Sequence, residues 1–406
     1  MPSVDVYYHF LPPDDVVSAR HFADLAQGLQ ERGWKVRVFG SNRSCRANGA
    51  SYPLSETLNK VEYNRTWRPD FPQNRAYGRI ANAIWMCGSW ASKAIWEQNP
   101  PDVMITGTDP IFSVASSMAW KATFNSTKLV HWCFDLYPDA LFAEGIVPDN
   151  SFSGKALKSM ATSILQNQDI LANLGPCMAD RLSSYAPQTE QMELTPWALV
   201  EPDSLPTTDS KIRSELFGTA KLGLLYSGSF GRAHCYEDIL ALARKLQGES
   251  ISFCFAVRGN RVEQLKAAIT PEDTNIRFAG FASAADLEKR LAAADIHIAS
   301  LNPEWTGCVV PSKFFGSLAI GRPVLFSGAP EASPARWAES HKVGWTLTPQ
   351  KVGSIAKMLS SLAANPLQLG ELQQRSIQAY QTHFSKKSNL DRLDTRLRML
   401  IQSSNN

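Results

Sequence analysis

The sequence predicts an α/β protein made of two doubly wound, parallel-sheet domains in tandem. Apolar runs of strand length alternate with amphipathic helices in two separate series, and a proline-rich polar segment divides them. The 406 residues are 44% hydrophobic and 19% charged, enough apolar side chain for a large core, so disorder is excluded as the main state. The third observation is charge: 41 basic against 38 acidic residues leave a net +3, too balanced for a protein whose partner is nucleic acid.

The first series opens with a strand, Val4 to Phe10, and the loop L-P-P-D-D-V-V. A helix follows from Ser18, a residue type suited to the N-cap, with Phe22, Leu25, Ala26 and Leu29 at helical spacing until Gly33 stops it. Trp34 to Phe39 is the next strand, so the chain begins with a βαβ unit. A strand within Asp102 to Gly107, a helix from Phe112 to Thr123 and a strand around Val130 continue the pattern. The second series has strands in L-G-L-L-Y-S-G, I-S-F-C-F-A-V, I-R-F-A-G, D-I-H-I-A-S-L and P-V-L-F-S-G. Its helices are Tyr236 to Leu246, one from Arg261, Ala284 to Ala293 and one from Lys313.

These elements divide the chain into a domain at 1–195, a connection at 196–209 and a domain at 210–385. The final segment, 386–406, is a helix with Leu390, Leu393, Leu397, Leu400 and Ile401 on one stripe and Asp394 spaced to pair with Arg398. It is expected to pack back on the first domain. Open α/β sheets bind ligands beyond the carboxyl ends of their strands, so two such edges are expected to form a cleft.

Seven cysteines, an odd number from Cys45 to Cys308 with no C-x-x-C pair, suit a reducing cytoplasm. Asp5 breaks the apolar core that a secretory signal needs, and no run of about 18 uncharged apolar residues offers a spanning helix. A cytoplasmic chain is expected, at most held on the inner face of a membrane.

Two loops carry phosphate-binding chemistry. In Y-S-G-S-F-G-R, Gly228, Ser229, Phe230 and Gly231 end a buried strand before a helix, a turn that lets N–H groups approach an anion, and Arg232 adds a charge. The G-x-x-G spacing disfavours a dinucleotide fold, and G-x-x-x-x-G-K-[ST] is missing, which excludes a P-loop ATPase. In V-V-P-S-K-F-F-G, Pro311 ends the strand, Ser312 is placed to cap the next helix, and Lys313 stands in its first turn, against the helix dipole. An anionic ligand at the helix start would supply the reason for that lysine, the alternative being a solvated lysine tolerated at a small cost. Together the loops offer a diphosphate distributed positive potential without a metal cage.

The stretch from Tyr226 to Asp238, the V-V-P-S-K-F-F-G…A-I-G-R-P-V segment and H-W-C-F-D-L-Y-P-D resemble retaining glycosyltransferases of family 4, with the GT-B fold. The branch of O-antigen and colanic-acid sugar transferases is similar over nearly the whole chain, including L-P-P-D-D-V-V-S-A-R-H-F. The resemblance implies a nucleotide-sugar donor, UDP- or GDP-linked, bound mainly by the second domain. Its base would lie beside Phe278 to Phe281 and its phosphates against the two loops. The segment Asp14 to Val17, including Asp15 and Val16, would face the phosphates or the transferred sugar with Arg20. A hydroxyl-bearing acceptor is implied, lipid-linked or not, and no essential metal or other cofactor.

Departures matter. Where the family often has an arginine and a lysine in the first loop stand Ser229 and His234, which makes Arg232 the better phosphate ligand. The usual pair of glutamates falls on Cys308 and Gly316, leaving Glu304 and Glu331 as substitutes for the ribose carboxylate. The family's histidine of the first domain falls near Phe134, so His131 transfers poorly, as a core or acceptor-side group. Asp135 matches better, followed by Asp139. Lys313, Arg232 and Asp135 are thus the expected catalytic groups.

The segment Trp67 to Trp96 packs four tryptophans near four basic residues, Arg75 among them. It reads as a core helix with Ile80, Ile84, Cys87, Ala91 and Ile95 inward, as a surface lying on anionic headgroups, or as a wall of the acceptor site. A non-catalytic nucleotide-sugar-binding subunit and an epimerase of the same fold are the alternative functions.

Overall fold

A computed structural model describes residues 1–14, 16–44, 50–283 and 285–402; Asp15, Cys45 and Ala284 lie outside the described residues. The chain divides into two compact units, Met1–Thr195 with Asn389–Asn406, and Pro196–Ser388.

The first unit is built on β1 (Ser3–Tyr7), β2 (Lys35–Ser41), β3 (Ser55–Leu58), β4 (Val61–Thr66), β5 (Val103–Thr106), β6 (Lys128–Trp132), β7 (Ile170–Asn173) and β8 (Glu190–Glu193). Their order is β3-β4-β2-β1-β5-β6-β7-β8. All neighbours are parallel except β3, which pairs antiparallel with β4. That hairpin, not anticipated from the sequence, turns on Asn59 and Lys60 at φ 49° and 65°. Mirror-image turns of this kind match the strand twist, but without glycine their signal is faint. The helix Val17–Glu31 crosses from β1 to β2. Its N-cap is Val16, which makes no side-chain cap, and Ser18 instead accepts a 2.6 Å hydrogen bond from the Tyr8 hydroxyl.

The helix Ala76–Trp96 packs Met86, Trp90 and Ala94 against Tyr7, Phe39, Met104, Trp120 and Leu129. Its buried stripe is Gly78, Asn82, Met86, Trp90 and Ala94, whereas Ile80, Ile84 and Ile95 are exposed. The core stripe expected from the sequence is thus the outer face. Both faces have apolar residues at helical spacing, so periodicity alone could not choose. The buried side holds Trp90, packed in the core, Asn82, whose Nδ2 donates to the Phe71 carbonyl at 2.9 Å, and Gly78, where a Cβ would strike Pro72.

The helix Lys386–Gln402 buries Leu390, Leu393, Leu397 and Leu400. Asp391 takes Arg32 at 2.6 Å, Asp394 accepts from the Trp34 indole at 2.6 Å, and Arg398 donates to the Arg32 carbonyl at 2.6 Å. Gly28 lets the two helices approach, for a Cβ there would collide with Leu390.

The second unit carries β9 (Leu222–Ser229), β10 (Ile251–Arg258), β11 (Ile276–Phe278), β12 (Ile296–Ser300), β13 (Val324–Ser327) and β14 (Gly344–Leu347), all parallel, in the order β11-β10-β9-β12-β13-β14. Leu222, Leu224, Phe253, Phe255 and Ile296 form its core with Ile239, Leu242, Ile355 and Leu359 from covering helices. Burial on both faces is why these strands read as continuous apolar runs. The segment from Pro196 belongs to this unit: the Ala198 N–H donates to the Tyr380 hydroxyl at 2.8 Å, and Asp209 caps the helix Ser210–Phe217.

Candidate functional site

In the second sheet the strand order reverses between β9 and β12, the position where open α/β sheets bind ligands. The loops that leave these two strands converge there on Lys313. It opens the helix Lys313–Ala319, yet its Nζ lies 5.3 Å from the Tyr226 ring centroid and 3.4 Å from His234 Nε2. Gly228, at φ 122°, makes this possible: a Cβ there would stand 3.1 Å from Lys313 Cε. The backbone angle is the stronger demand for glycine, and a Cβ would also press on the lysine chain.

His234 is held from behind. Its Nδ1 is 2.9 Å from the Ser300 carbonyl, so Nδ1 carries the proton and Nε2 presents a lone pair to the ammonium. Arg261 donates to the His234 carbonyl at 2.6 Å, and the Ser300 hydroxyl bonds the Tyr226 hydroxyl at 3.0 Å. Burial lowers the His234 pKa to about 3, reinforced by the Lys313 charge, and the imidazole stays neutral. Burial lowers Lys313 to about 8, so it is an ammonium at neutral pH, with one proton directed to His234.

The other predicted residues of this unit separate into two groups. Ser229 is exposed at the end of β9 and Arg232 on the loop that follows, with half-buried Gly231 between Phe230 and Arg232. Phe281 is half exposed beyond β11, with the Arg258 guanidinium 4.2 Å from its ring centroid. Glu304 and Glu331 are exposed on the loops after β12 and β13. Phe230, by contrast, is 0% exposed and packs in the core, and its N–H is bound to the Arg258 carbonyl at 2.7 Å. Its side chain offers a donor nothing. Pro311 is buried, and Ser312 makes no side-chain cap because it is itself helical, at φ −61° and ψ −19°. Cys308 is buried, while a Cβ at Gly316 would meet nothing within 4 Å.

The first sheet reverses between β1 and β5. Just past those strands His9 and Asp109 meet, Nδ1 to Oδ1 at 3.4 Å, with the His9 N–H donating to the Asp109 carbonyl at 2.9 Å. His9 Nε2 is buried and has no hydrogen-bond partner among the described residues. Neither residue stood out in the sequence, where His9 falls inside the expected strand Val4 to Phe10 and Asp109 lies two residues past the expected strand that ends at Gly107. Asp135 lies past β6, where the Thr108 hydroxyl accepts from the N–H groups of Phe134 and Asp135 at 2.9 and 3.3 Å. Burial, reinforced by the charge of Asp109, raises the Asp135 pKa to about 6. Asp135, Thr108, Tyr137 and His131 line a cavity of about 20 Å³, room for one water. His131 is buried with Nδ1 3.0 Å from the Thr106 carbonyl, and burial lowers its pKa to about 4.

Asp139 has a different task from the one expected. Its carboxylate takes Arg181 at 2.7 Å and the Tyr185 hydroxyl at 2.5 Å, tying two helices together. Asp14 is buried and accepts from Ser44 and Tyr52, while Arg20 is exposed and Val16 half-buried at the helix start. Trp67 packs edge-on to Trp85, centroids 5.4 Å apart, and Arg75 is exposed before the helix Ala76–Trp96.

No protein-family model matches the chain. A probable glycosyltransferase, WbjE of Pseudomonas aeruginosa, is 23% identical over 341 residues, 83% of this chain and 84% of its own. Among solved structures, sucrose-phosphate synthase of Thermosynechococcus elongatus superposes with a TM-score of 0.71 at 14% identity, covering 99% of this chain and 100% of that one. Anabaena HepE in complex with UDP-glucose gives 0.64 at 11% identity, over 99% and 100%. WaaG, a glycosyltransferase of lipopolysaccharide biosynthesis, gives 0.65 at 14%, over 97% and 99%. The fold is GT-B.

Proposed function

We propose that this chain, a glycosyltransferase with the GT-B fold, moves a sugar from a UDP- or GDP-sugar to a hydroxyl of a glycan, lipid-linked or small-molecule acceptor. The transfer retains the anomeric configuration and needs no metal. The observation that carries this reading is Lys313, a half-buried ammonium at the strand-order reversal of the second unit, held by a neutral histidine.

In the reaction the bond from the sugar's anomeric carbon to the diphosphate oxygen breaks, and the acceptor oxygen bonds to the same face. The acceptor proton passes to the departing phosphate oxygen, so no strong protein base is needed. Catalysis rests on stabilising charge as it develops on the diphosphate and on holding the acceptor. Lys313 is assigned to meet that charge, with Arg232 of the loop after β9 as a second phosphate group. His234 orients the ammonium without competing for charge, being neutral. Phe281 and Arg258 present a stacking surface suited to the base. Asp135 is assigned to hydrogen-bond hydroxyls of the bound sugars, and Glu304 or Glu331 to the ribose. The UDP-glucose complex of HepE supports the UDP alternative.

Lys313→Ala should lower turnover by about two to three orders of magnitude, the usual effect of losing one charge-stabilising donor. Near-normal turnover in the folded variant refutes the assignment. Retention is tested by NMR of the product: an inverted anomer, or an epimerised sugar, would replace this reading. A binding-only subunit would lack even slow hydrolysis of the donor.

A further inference from the structure

At the ligand end of the first sheet one buried ring is held at a cost. His9 is 2% exposed and stacks on Phe10 with ring centroids 4.0 Å apart, and its Nε2 meets no hydrogen-bond partner among the described residues. A buried polar atom left unpaired costs stability, and a phenylalanine in this place would keep the stacking without that cost. What an apolar ring could not do is what Nδ1 does. It faces Oδ1 of Asp109 at 3.4 Å, and a carboxylate oxygen only accepts, so Nδ1 is the donor. The backbone adds a second tie, from the His9 N–H to the Asp109 carbonyl at 2.9 Å. The imidazole thus serves the carboxylate and not the core.

Asp109 is the outward member of the pair, its side chain 39% exposed against 3% for His9. It stands just past β5, at the strand-order reversal, and the neighbouring β6 leads into the segment that carries Asp135. The charge of Asp109 reaches that second carboxylate and helps to raise its pKa, so the two share one site. Two half-buried rings accompany them: Phe112 and Tyr137, with centroids 6.4 Å apart, line the same small cavity as Asp135. Phe112 is held at φ 61°, a conformation that a bulky residue rarely adopts. Carboxylates accept hydrogen bonds from hydroxyls, and aromatic rings cover the apolar face of a pyranose, so the group that suits this edge is a sugar.

We propose that Asp109 accepts a hydrogen bond from a hydroxyl of the acceptor sugar, and that His9 is its positioning residue, fixing the carboxylate through Nδ1. The inference rests on the transfer reaction proposed above, but its test reads sugar binding with neither donor nor turnover, so either can fail alone.

The test is saturation-transfer NMR of the whole chain with the methyl glycosides of glucose, galactose, mannose and N-acetylglucosamine, in the absence of nucleotide. At least one glycoside should bind, and Asp109→Ala should weaken it about tenfold, the usual effect of losing a hydrogen bond to a charged group. His9→Phe should weaken binding about threefold and, because it removes the unpaired atom, melt no lower than wild type. His9→Asn, whose amide stands near the place of Nδ1 but leaves space behind it, should recover part of the binding while melting lower. Binding and stability therefore move in opposite directions in the two His9 variants, which a purely structural histidine would not produce. Three results overturn the proposal: a wild type that binds none of the glycosides, an Asp109→Ala variant that binds as well as wild type, or binding that follows melting temperature across the His9 variants. The last would make His9 a core residue.

Discussion

Replacing Asp135 by asparagine keeps the shape of the side chain and removes a charge that the fold disfavours, so it should raise stability at neutral pH while lowering transfer. The folded-state pKa is about 6, pushed up from 3.8 chiefly by burial and further by Asp109. At about 1.36 kcal/mol per pKa, that difference is a ceiling of about 3 kcal/mol of strain when the carboxylate is ionised. Partial exposure reduces it, and about 1–2 kcal/mol is the expected gain. The sign follows from proton uptake. Between about 4 and 6 the folded state holds the proton more tightly than the unfolded one, so the wild type loses stability as pH rises through that window and keeps the full penalty above it. Asp135→Asn should therefore melt higher than wild type at pH 7.5 and level with it near pH 4. The assay is paired thermal melts across that range, following the transition of the first unit. A difference independent of pH, or a variant less stable at pH 7.5, rules out a destabilising buried charge at this position, and undiminished transfer rules out the role given to this carboxylate.

Other expectations rest on single contacts. Lys313 loses its proton as pH rises through about 8, so kcat/KM should fall above that pH, and Lys313→Arg should shift the fall upward or abolish it. His234→Ala frees the ammonium from its holder and should lower kcat about tenfold with KM nearly unchanged, while His234→Gln, which keeps an acceptor, should recover part of the loss. Asp139→Ala leaves the Tyr185 hydroxyl and Arg181 without their carboxylate and should cost about 2–3 kcal/mol in denaturant titration, with donor hydrolysis by the folded fraction unaffected. Gly28→Ala drives a methyl group into Leu390 and should cost about 1–3 kcal/mol. Limited proteolysis should then cut near Lys386 sooner than in wild type.

Most strands were legible because parallel sheets bury both faces, and a continuous apolar run as short as that of β9 or β10, bounded by glycine or charge, suits a strand covered on both sides better than a half-exposed helix. The β3–β4 hairpin was not, since its turn has no glycine and only β4 alternates. The two phosphate loops could be named from glycine spacing and from a lysine placed against a helix dipole. Their meeting at His234 could not, because residues 234 and 313 are joined only by the adjacency of β9 and β12, which sheet order decides. His9 and Asp109 were missed for the same reason.

Periodicity is governed by neighbours along the chain, so the order of amino acids was enough to say which segments are strands, which are helices, and where glycine and proline interrupt them. Which face of the helix Ala76–Trp96 is buried, that Phe230 is core and Asp139 a strut, and which carboxylate and which lysine are shifted in pKa were decided only in three dimensions. Burial and charge depend on what lies within a few ångströms in space, and strands far apart in the chain supply most of it.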